Sequence, residues 1–284
     1  MYAITGITGQ VGGRLARCLL DAGQRVRAVL RDPAKAAPWA ARGCEVAIAD
    51  VADTDALAHA FEGCAGVFVL LPPTFDPSPG FAEARRAVAS LHAALARARP
   101  AKVVALSTVG AQATQPNLLA QLGLLEQSLG TLALPVAFLR AAWFIENAAW
   151  DVAAARETGT IPAFLQPTDR RIPMVATADV ARLAAELLGE RWDGVRVVEL
   201  EGPRALSPDD LAAAFARALG REVQARAVAR ESWATLFASQ GMANPTPRMQ
   251  MLDGFNAGWL CFEGRDLRRG TTSVDAVVAE LLAR

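Results

Sequence analysis

Short apolar runs alternate with amphipathic stretches through the first half of the chain, and this rhythm constrains the fold more than any other feature. The runs are Tyr2–Thr5, Val26–Leu30, Glu45–Ile48, Val67–Leu71, Val103–Leu106 and Val136–Leu139. The stretches between them lie near 11–22, 34–42, 54–62, 80–98 and 117–132. Alternation of this kind builds βαβ units, which stack into a parallel sheet with helices on both faces. The runs are almost continuously apolar, as expected for strands covered on both sides. The expected fold class is α/β, a doubly wound parallel sheet with a smaller C-terminal α/β lobe.

After residue 150 the rhythm loosens. Pro162, Pro167 and Pro173 interrupt a loop-rich stretch. A helix is expected from Thr177 to about 189, with Thr177 or Asp179 near its N-terminus, and a strand over Val195–Leu200. Ser207 is an N-cap candidate with Pro208 in the first helical position. Residues 241–258 read as an irregular segment of a cap, and Ser273–Arg284 as a terminal helix. The expected division is a nucleotide-binding domain over 1–150, rejoined by about 172–200, and a substrate or partner lobe over 151–284.

Thr5-Gly6-Ile7-Thr8-Gly9-Gln10-Val11-Gly12 lies between the first strand and the first helix. Glycines there permit a sharp turn, close approach of backbone to a pyrophosphate, and tight packing of helix on strand. The free N–H groups and dipole of the helix N-terminus favour the phosphate charge. The fold is therefore read as Rossmann-type, with Gly6, Thr8, Gly9, Gln10, Val11 and Gly12 at a dinucleotide. About 20 residues further on, where the ribose is read, the second strand ends in Arg31 rather than an acid. A guanidinium fork suits a 2′-phosphate, and Lys35 one turn later adds charge. NADP(H) is therefore expected over NAD(H). The competing reading leaves Arg31 solvated and Asp32 as a helix cap. Asp50 is expected at the adenine amino group, or as an ordinary loop cap, with Val51 beside it. Leu71 and Pro72 are expected on the ribose and nicotinamide side.

Composition narrows the function. Hydrophobic residues make up 52% and charged residues 20% of 284, which excludes a disordered chain. The balance of 29 basic and 29 acidic residues gives no excess cation for nucleic acid or an anionic membrane surface. Cys18, Cys44, Cys64 and Cys261 form no CxxC pair, and His59 and His92 are the only histidines. No zinc site, other metal or disulfide framework is expected. No apolar run approaches the roughly 18 residues of a membrane span. The glycine loop begins at residue six, which leaves no room for a signal peptide, so a cytoplasmic protein is expected.

These residues resemble the NmrA-like branch of the atypical short-chain dehydrogenase/reductase superfamily over nearly the whole chain. The carriers are the glycine loop, Arg31-Asp-Pro-Ala-Lys35, Ala49-Asp50, Ser107-Thr108, Leu139-Arg-Ala-Ala-Trp-Phe-Ile-Glu-Asn147 and the Met174–Leu188 element. The resemblance implies an NAD(P)H-dependent oxidoreductase, such as a quinone reductase, or a redox-sensing regulator that binds the cofactor without turnover. It also implies a substrate cleft under the C-terminal lobe.

One departure matters. The wider superfamily places Tyr-x-x-x-Lys on the helix after the fifth strand. Here that helix reads Asn117-Leu-Leu-Ala-Gln-Leu-Gly-Leu-Leu-Glu126, without Tyr, Lys or His. If Glu126 matches the acid four residues beyond the family lysine, the dyad falls on Leu118 and Leu122. The single tyrosine, Tyr2, is in the first strand, and Lys35 and Lys102 are the only lysines. Hydride transfer to a quinone-like acceptor remains, with the protein supplying proximity and hydrogen bonds. Substrate-positioning candidates are Ser107, Thr108, Gln112 and Asn147, with Trp143 and Phe144 as a stacking wall. Core packing for the two rings, and a structural role for Asn147, stay open. The expected partner is a small-molecule substrate; a homodimer or a protein partner is left open.

Overall fold

The computed structural model describes all 284 residues. β1 (Tyr2–Ile4), α1 (Gln10–Asp21), β2 (Val26–Leu30), α2 (Ala37–Ala40), β3 (Glu45–Ile48), α3 (Thr54–Phe61) and β4 (Gly66–Val69) open the chain. α4 (Ala82–Ala98), β5 (Val103–Thr108), α5 (Ala120–Leu129) and β6 (Val136–Ala141) continue the winding. Next come β7 (Trp143–Phe144), α6 (Val152–Glu157), β8 (Thr160–Ala163), β9 (Met174–Val175), α7 (Thr177–Gly189) and β10 (Val195–Glu201). The chain ends with α8 (Pro208–Leu219), β11 (Gln224–Ala227), α9 (Trp233–Ser239), α10 (Thr246–Ala257), β12 (Leu267–Arg269) and α11 (Val274–Leu282).

The central sheet has eight strands in the order β3-β2-β1-β4-β5-β6-β10-β12. Every pairing within it is parallel. The winding reverses direction between β1 and β4. Ligands of such sheets bind in the crevice outside the carboxyl ends of the strands at this switch point. Alternate strand residues feed two cores. Ile4, Leu15, Val104 and Leu187 share the α1–α7 face. Phe61, Val67, Leu91 and Leu125 share the α3–α4–α5 face. A buried leucine in such a core is worth about 2–5 kcal/mol against alanine.

A third core fills the C-terminal lobe around Phe215, Trp233, Phe237 and Phe255. Two small parallel pairings frame it, β8 with β11 and β7 with β9. α8 starts with a capping box in which Ser207 and Asp210 satisfy each other's backbone N–H groups. Ser273 caps α11 through the Ala276 N–H at 3.2 Å.

Two local expectations are corrected. Residues 246–257 form α10 rather than irregular chain. Its prolines sit at the start, where a missing N–H costs nothing. The chain returns to the sheet once more than expected, through β12 beside β10. α7 begins at Thr177 with Asp179 in its first turn, as expected. Its N-cap is Ala176, and the buried Glu146 carboxylate accepts the Thr177 N–H at 2.8 and 3.0 Å. A carboxylate there also complements the helix dipole. Asp179 accepts from the Thr272 N–H and hydroxyl at 3.0 and 2.9 Å, which ties down the chain after β12.

Candidate functional site

The glycine loop is shaped by close backbone contacts. Gly6 has φ +62°, and a Cβ there would stand 2.3 Å from Leu70 Cδ2. A Cβ on Gly12 would stand 2.4 Å from the Gly6 carbonyl oxygen. Thr5 fastens the loop to β4: its Oγ1 donates to Phe68 O at 3.3 Å and accepts from Leu70 N at 3.0 Å. Gly9 is the N-cap of α1 and supplies no side chain, and the first turn carries no acid. The N–H groups of Gln10, Val11 and Gly12 donate to no atom of the chain. Unpaired donors at an uncapped helix start, reached over bare glycine backbone, fit a pyrophosphate.

The residues expected around the rest of a dinucleotide follow at the same sheet edge. Arg31 is exposed beyond β2, and its Nε lies 4.0 Å from Asp50 Oδ2. Asp32 caps the next turn through Ala34 N at 3.0 Å, so capping by Asp32 and an outward Arg31 coexist. Asp50 Oδ1 accepts from Ala52 N at 2.9 Å, the geometry of a loop cap, which leaves its other oxygen toward Arg31. Lys35 and Pro72 are exposed, Val51 is half-buried and Leu71 is buried.

The substrate candidates divide. Ser107 is buried and donates to Glu126 Oε1 at 2.5 Å. Thr108 and Asn147 are half-buried, and their side chains have no hydrogen-bond partner in the protein. Gln112 donates to Cys261 O at 2.8 Å, while its buried Oε1 has no partner. Trp143 and Phe144 do not make one wall. Successive strand residues point to opposite faces: Trp143 packs in the C-terminal lobe, 5.3 Å from Phe255, and Phe144 packs against the α1–α7 core. Leu118 is buried in the C-terminal lobe core, and Leu122 packs against the α3–α4–α5 core.

Sequence reasoning missed a buried ionic cluster beneath this edge. Arg140, on β6, forks onto Glu126 with Nε–Oε1 at 2.9 Å and Nη2–Oε2 at 2.7 Å. Its Nη1 donates to Glu263 Oε2 at 2.6 Å and lies 3.8 Å from Glu199 Oε1. Glu199 in turn accepts from the N–H groups of Glu263 and Gly264 at 2.8 and 2.7 Å. Burial alone would lower the Arg140 pKa, but Glu126 and Glu263 outweigh it and hold the guanidinium above its ordinary value. The signal was present: a lone arginine in the apolar run Val-Ala-Phe-Leu-Arg-Ala needs a partner when both sheet faces are covered.

Asp151 closes the turn that follows β7, and burial pushes its carboxyl up to about 7. The folded state therefore holds this proton more tightly than the unfolded chain. Its contribution to stability is full below the unfolded pKa and lost as pH rises through about 7. Asp151→Asn is expected to flatten the decline in urea midpoint between mildly acidic and neutral pH; an unchanged slope would place its origin elsewhere.

The model of a family described as NAD(P)H-binding matches residues 6–191, from the glycine loop to the end of α7. The chain belongs to the NAD(P)H-binding family. This agrees with the nucleotide-binding role that the motif resemblance implies. Among its relatives, the NAD(P)H azoreductase of Xenophilus azovorans is 27% identical over 244 residues, covering 85% of this chain and 82% of the relative. Quinone oxidoreductase 2 of Escherichia coli is 29% identical over 245 residues, with the same coverage, 85% and 82%. The crystal structure of the Escherichia coli NADPH-dependent quinone oxidoreductase complexed with NADPH superposes with a TM-score of 0.82 at 26% identity, covering 99% of each chain. No helix of this protein is long and apolar enough to cross a membrane.

Proposed function

We propose that the protein is an NADPH-dependent reductase of a quinone-like or other flat electrophile, acting by direct hydride transfer without a Tyr–Lys dyad. The observation that carries this reading is the unpaired first turn of α1 over its glycine backbone. Relatives named as quinone oxidoreductase and azoreductase support it. When bound, the dihydronicotinamide supplies the hydride. The N–H groups of Gln10, Val11 and Gly12 hold the pyrophosphate, and Arg31 and Lys35 read the 2′-phosphate. Thr108, Gln112 and Asn147 orient the acceptor and stabilise charge arriving on its oxygen. Solvent supplies the proton, because an electron-poor acceptor needs no positioned acid.

The test follows NADPH consumption by purified protein with a simple quinone, after the spontaneous rate is subtracted. Saturable, protein-dependent oxidation is expected. Tight NADPH binding with no oxidation of any quinone would favour the second reading, a non-catalytic NADP(H) sensor acting through a protein partner. The absence of Tyr, Lys and His from α5 supports that alternative. Arg31 gives a separate check. Arg31→Ala is expected to raise the Kd for NADPH by about tenfold or more and to leave NADH within about twofold, since the 2′-phosphate contact is a charge-assisted fork. Equal losses for both cofactors would remove Arg31 from that role.

A further inference from the structure

Most arginines of this protein that are withdrawn from solvent face a carboxylate; Arg248 does not. It lies in the first turn of α10, half-buried, with no Asp or Glu paired to it. Its Cζ stands 4.4 Å from the centre of the Phe237 ring and 5.6 Å from the centre of the Trp150 ring. Aromatic rings engage the face of a guanidinium and leave its in-plane N–H groups for other acceptors. The one polar contact is from Nη1 to Met242 Sδ at 3.6 Å, and a thioether is a weak acceptor. Burial with no compensating charge pulls the Arg248 pKa below its usual value, yet a guanidinium remains charged at any physiological pH. A cation kept partly out of water with only a thioether meeting its donors is a costly arrangement. An anion on its open edge would relieve that cost.

The surroundings give the anion its carrier. The Trp150 ring meets Phe75 edge-on at 5.9 Å, and these two rings are 63% and 46% exposed. Phe75 belongs to the loop after β4, at the carboxyl edge of the sheet beside the switch point. That loop is clasped by the C-terminal lobe. Asp76 accepts from the N–H groups of Ala243 and Asn244 at 2.9 and 2.6 Å, and the Asn244 amide donates to Pro77 O at 2.9 Å. The residue before Arg248 is tied to the start of α5, with the Leu118 N–H donating to Pro247 O at 2.9 Å. The guanidinium therefore stands where the β4 loop, the turn after β7, the start of α5 and helices α9 and α10 converge. Exposed flat rings lie beside it.

We propose that Arg248 is an anion-recognition residue where the β4 loop meets the C-terminal lobe, and that the acceptor is a flat aromatic molecule bearing a sulfonate, carboxylate or phosphate. The ring system lies along Trp150 and Phe75, and the anionic group takes the open edge of the guanidinium. This rests on the reductase reading for the word acceptor, but the binding site itself is testable without turnover.

The probes are a naphthoquinone and the same naphthoquinone carrying one sulfonate. Dissociation constants are measured by quenching of tryptophan fluorescence, at low and at high salt. The wild-type protein is expected to bind the sulfonated probe about tenfold more tightly, with the preference shrinking in salt. Arg248→Gln is expected to bring the ratio of the two constants close to one, and Arg248→Lys to restore part of it. A purely structural clamp would weaken both probes together and leave the ratio intact, which would overturn the proposal. So would equal binding of the two probes by the wild-type protein, an outcome that needs no variant to fold. Turnover with the neutral probe reports on the reductase reading separately. A wild-type preference for the anion without any oxidation would keep the site and remove the reductase.

Discussion

Gly12→Ala is expected to weaken NADPH binding by on the order of a hundredfold. The new Cβ would meet the Gly6 carbonyl oxygen at 2.4 Å, the Gly6 carbonyl carbon at 2.8 Å and Ile7 Cα at 3.0 Å. All three are backbone atoms, so no rotamer change relieves them. The loop must open or α1 must slide, and either moves the unpaired N–H groups of Gln10, Val11 and Gly12 away from their common target. The strain also costs stability, about 1–3 kcal/mol for an overpacked site. A fluorescence titration with NADPH measures the first effect and urea unfolding the second. The variant binding NADPH within about threefold of wild type would show that the loop does not hold the pyrophosphate.

The second large effect concerns Arg140. Removing one partner of a buried ion pair typically costs about 3–5 kcal/mol, because the remaining charge is left without compensation. Here one guanidinium serves Glu126 and Glu263 directly, with Glu199 close by. Arg140→Leu is therefore expected to lower the urea midpoint more than any surface ion-pair deletion in the protein. It should also free the 261–264 segment, which Glu263 helps hold over the sheet edge, and leave the Ser107 hydroxyl beside an uncompensated carboxylate. Glu126→Leu added to Arg140→Leu is expected to recover a substantial part of the loss, since apolar replacements of a buried pair are often tolerated. The double variant being as unstable as both single losses added together would mean that the two side chains do not act as a pair.

What the sequence revealed depended on how local the cause was. The six leading strands and their helices follow from apolar period and length, and the structure places β1 to β6 on those runs. The shape of the glycine loop was legible because its glycines have a steric reason visible in order and spacing alone. Ser207 was legible for the same reason, since an N-cap acts within three residues. What was hidden involved partners far apart in the chain. Glu146 caps a helix that begins 31 residues later. Glu263 meets Arg140 across a separation of 123 residues. β12 is three residues long, with exposed side chains and no apolar signal, and joins the sheet only because β10 offers an unpaired edge. α10 carried Pro, Asn and Gly at its borders, which masked a helical interior. Trp143 and Phe144 looked like one aromatic surface, but strand alternation, which holds even for a strand two residues long, sends them into different cores.

The proposed reaction is hydride delivery from a cofactor at α1 to an acceptor at the strand ends, with no protein acid in the step. It is tested most directly by a rapid-mixing single turnover with NADPH deuterated at the transferred position of nicotinamide C4 and an excess of quinone. Direct hydride transfer predicts a protein-dependent phase that slows on deuteration and is almost indifferent to buffer deuterium. A phase slowed by solvent deuterium alone would put a proton transfer in the limiting step and contradict direct hydride transfer without a protein acid. So would complete formation of the NADPH complex with no oxidation after it.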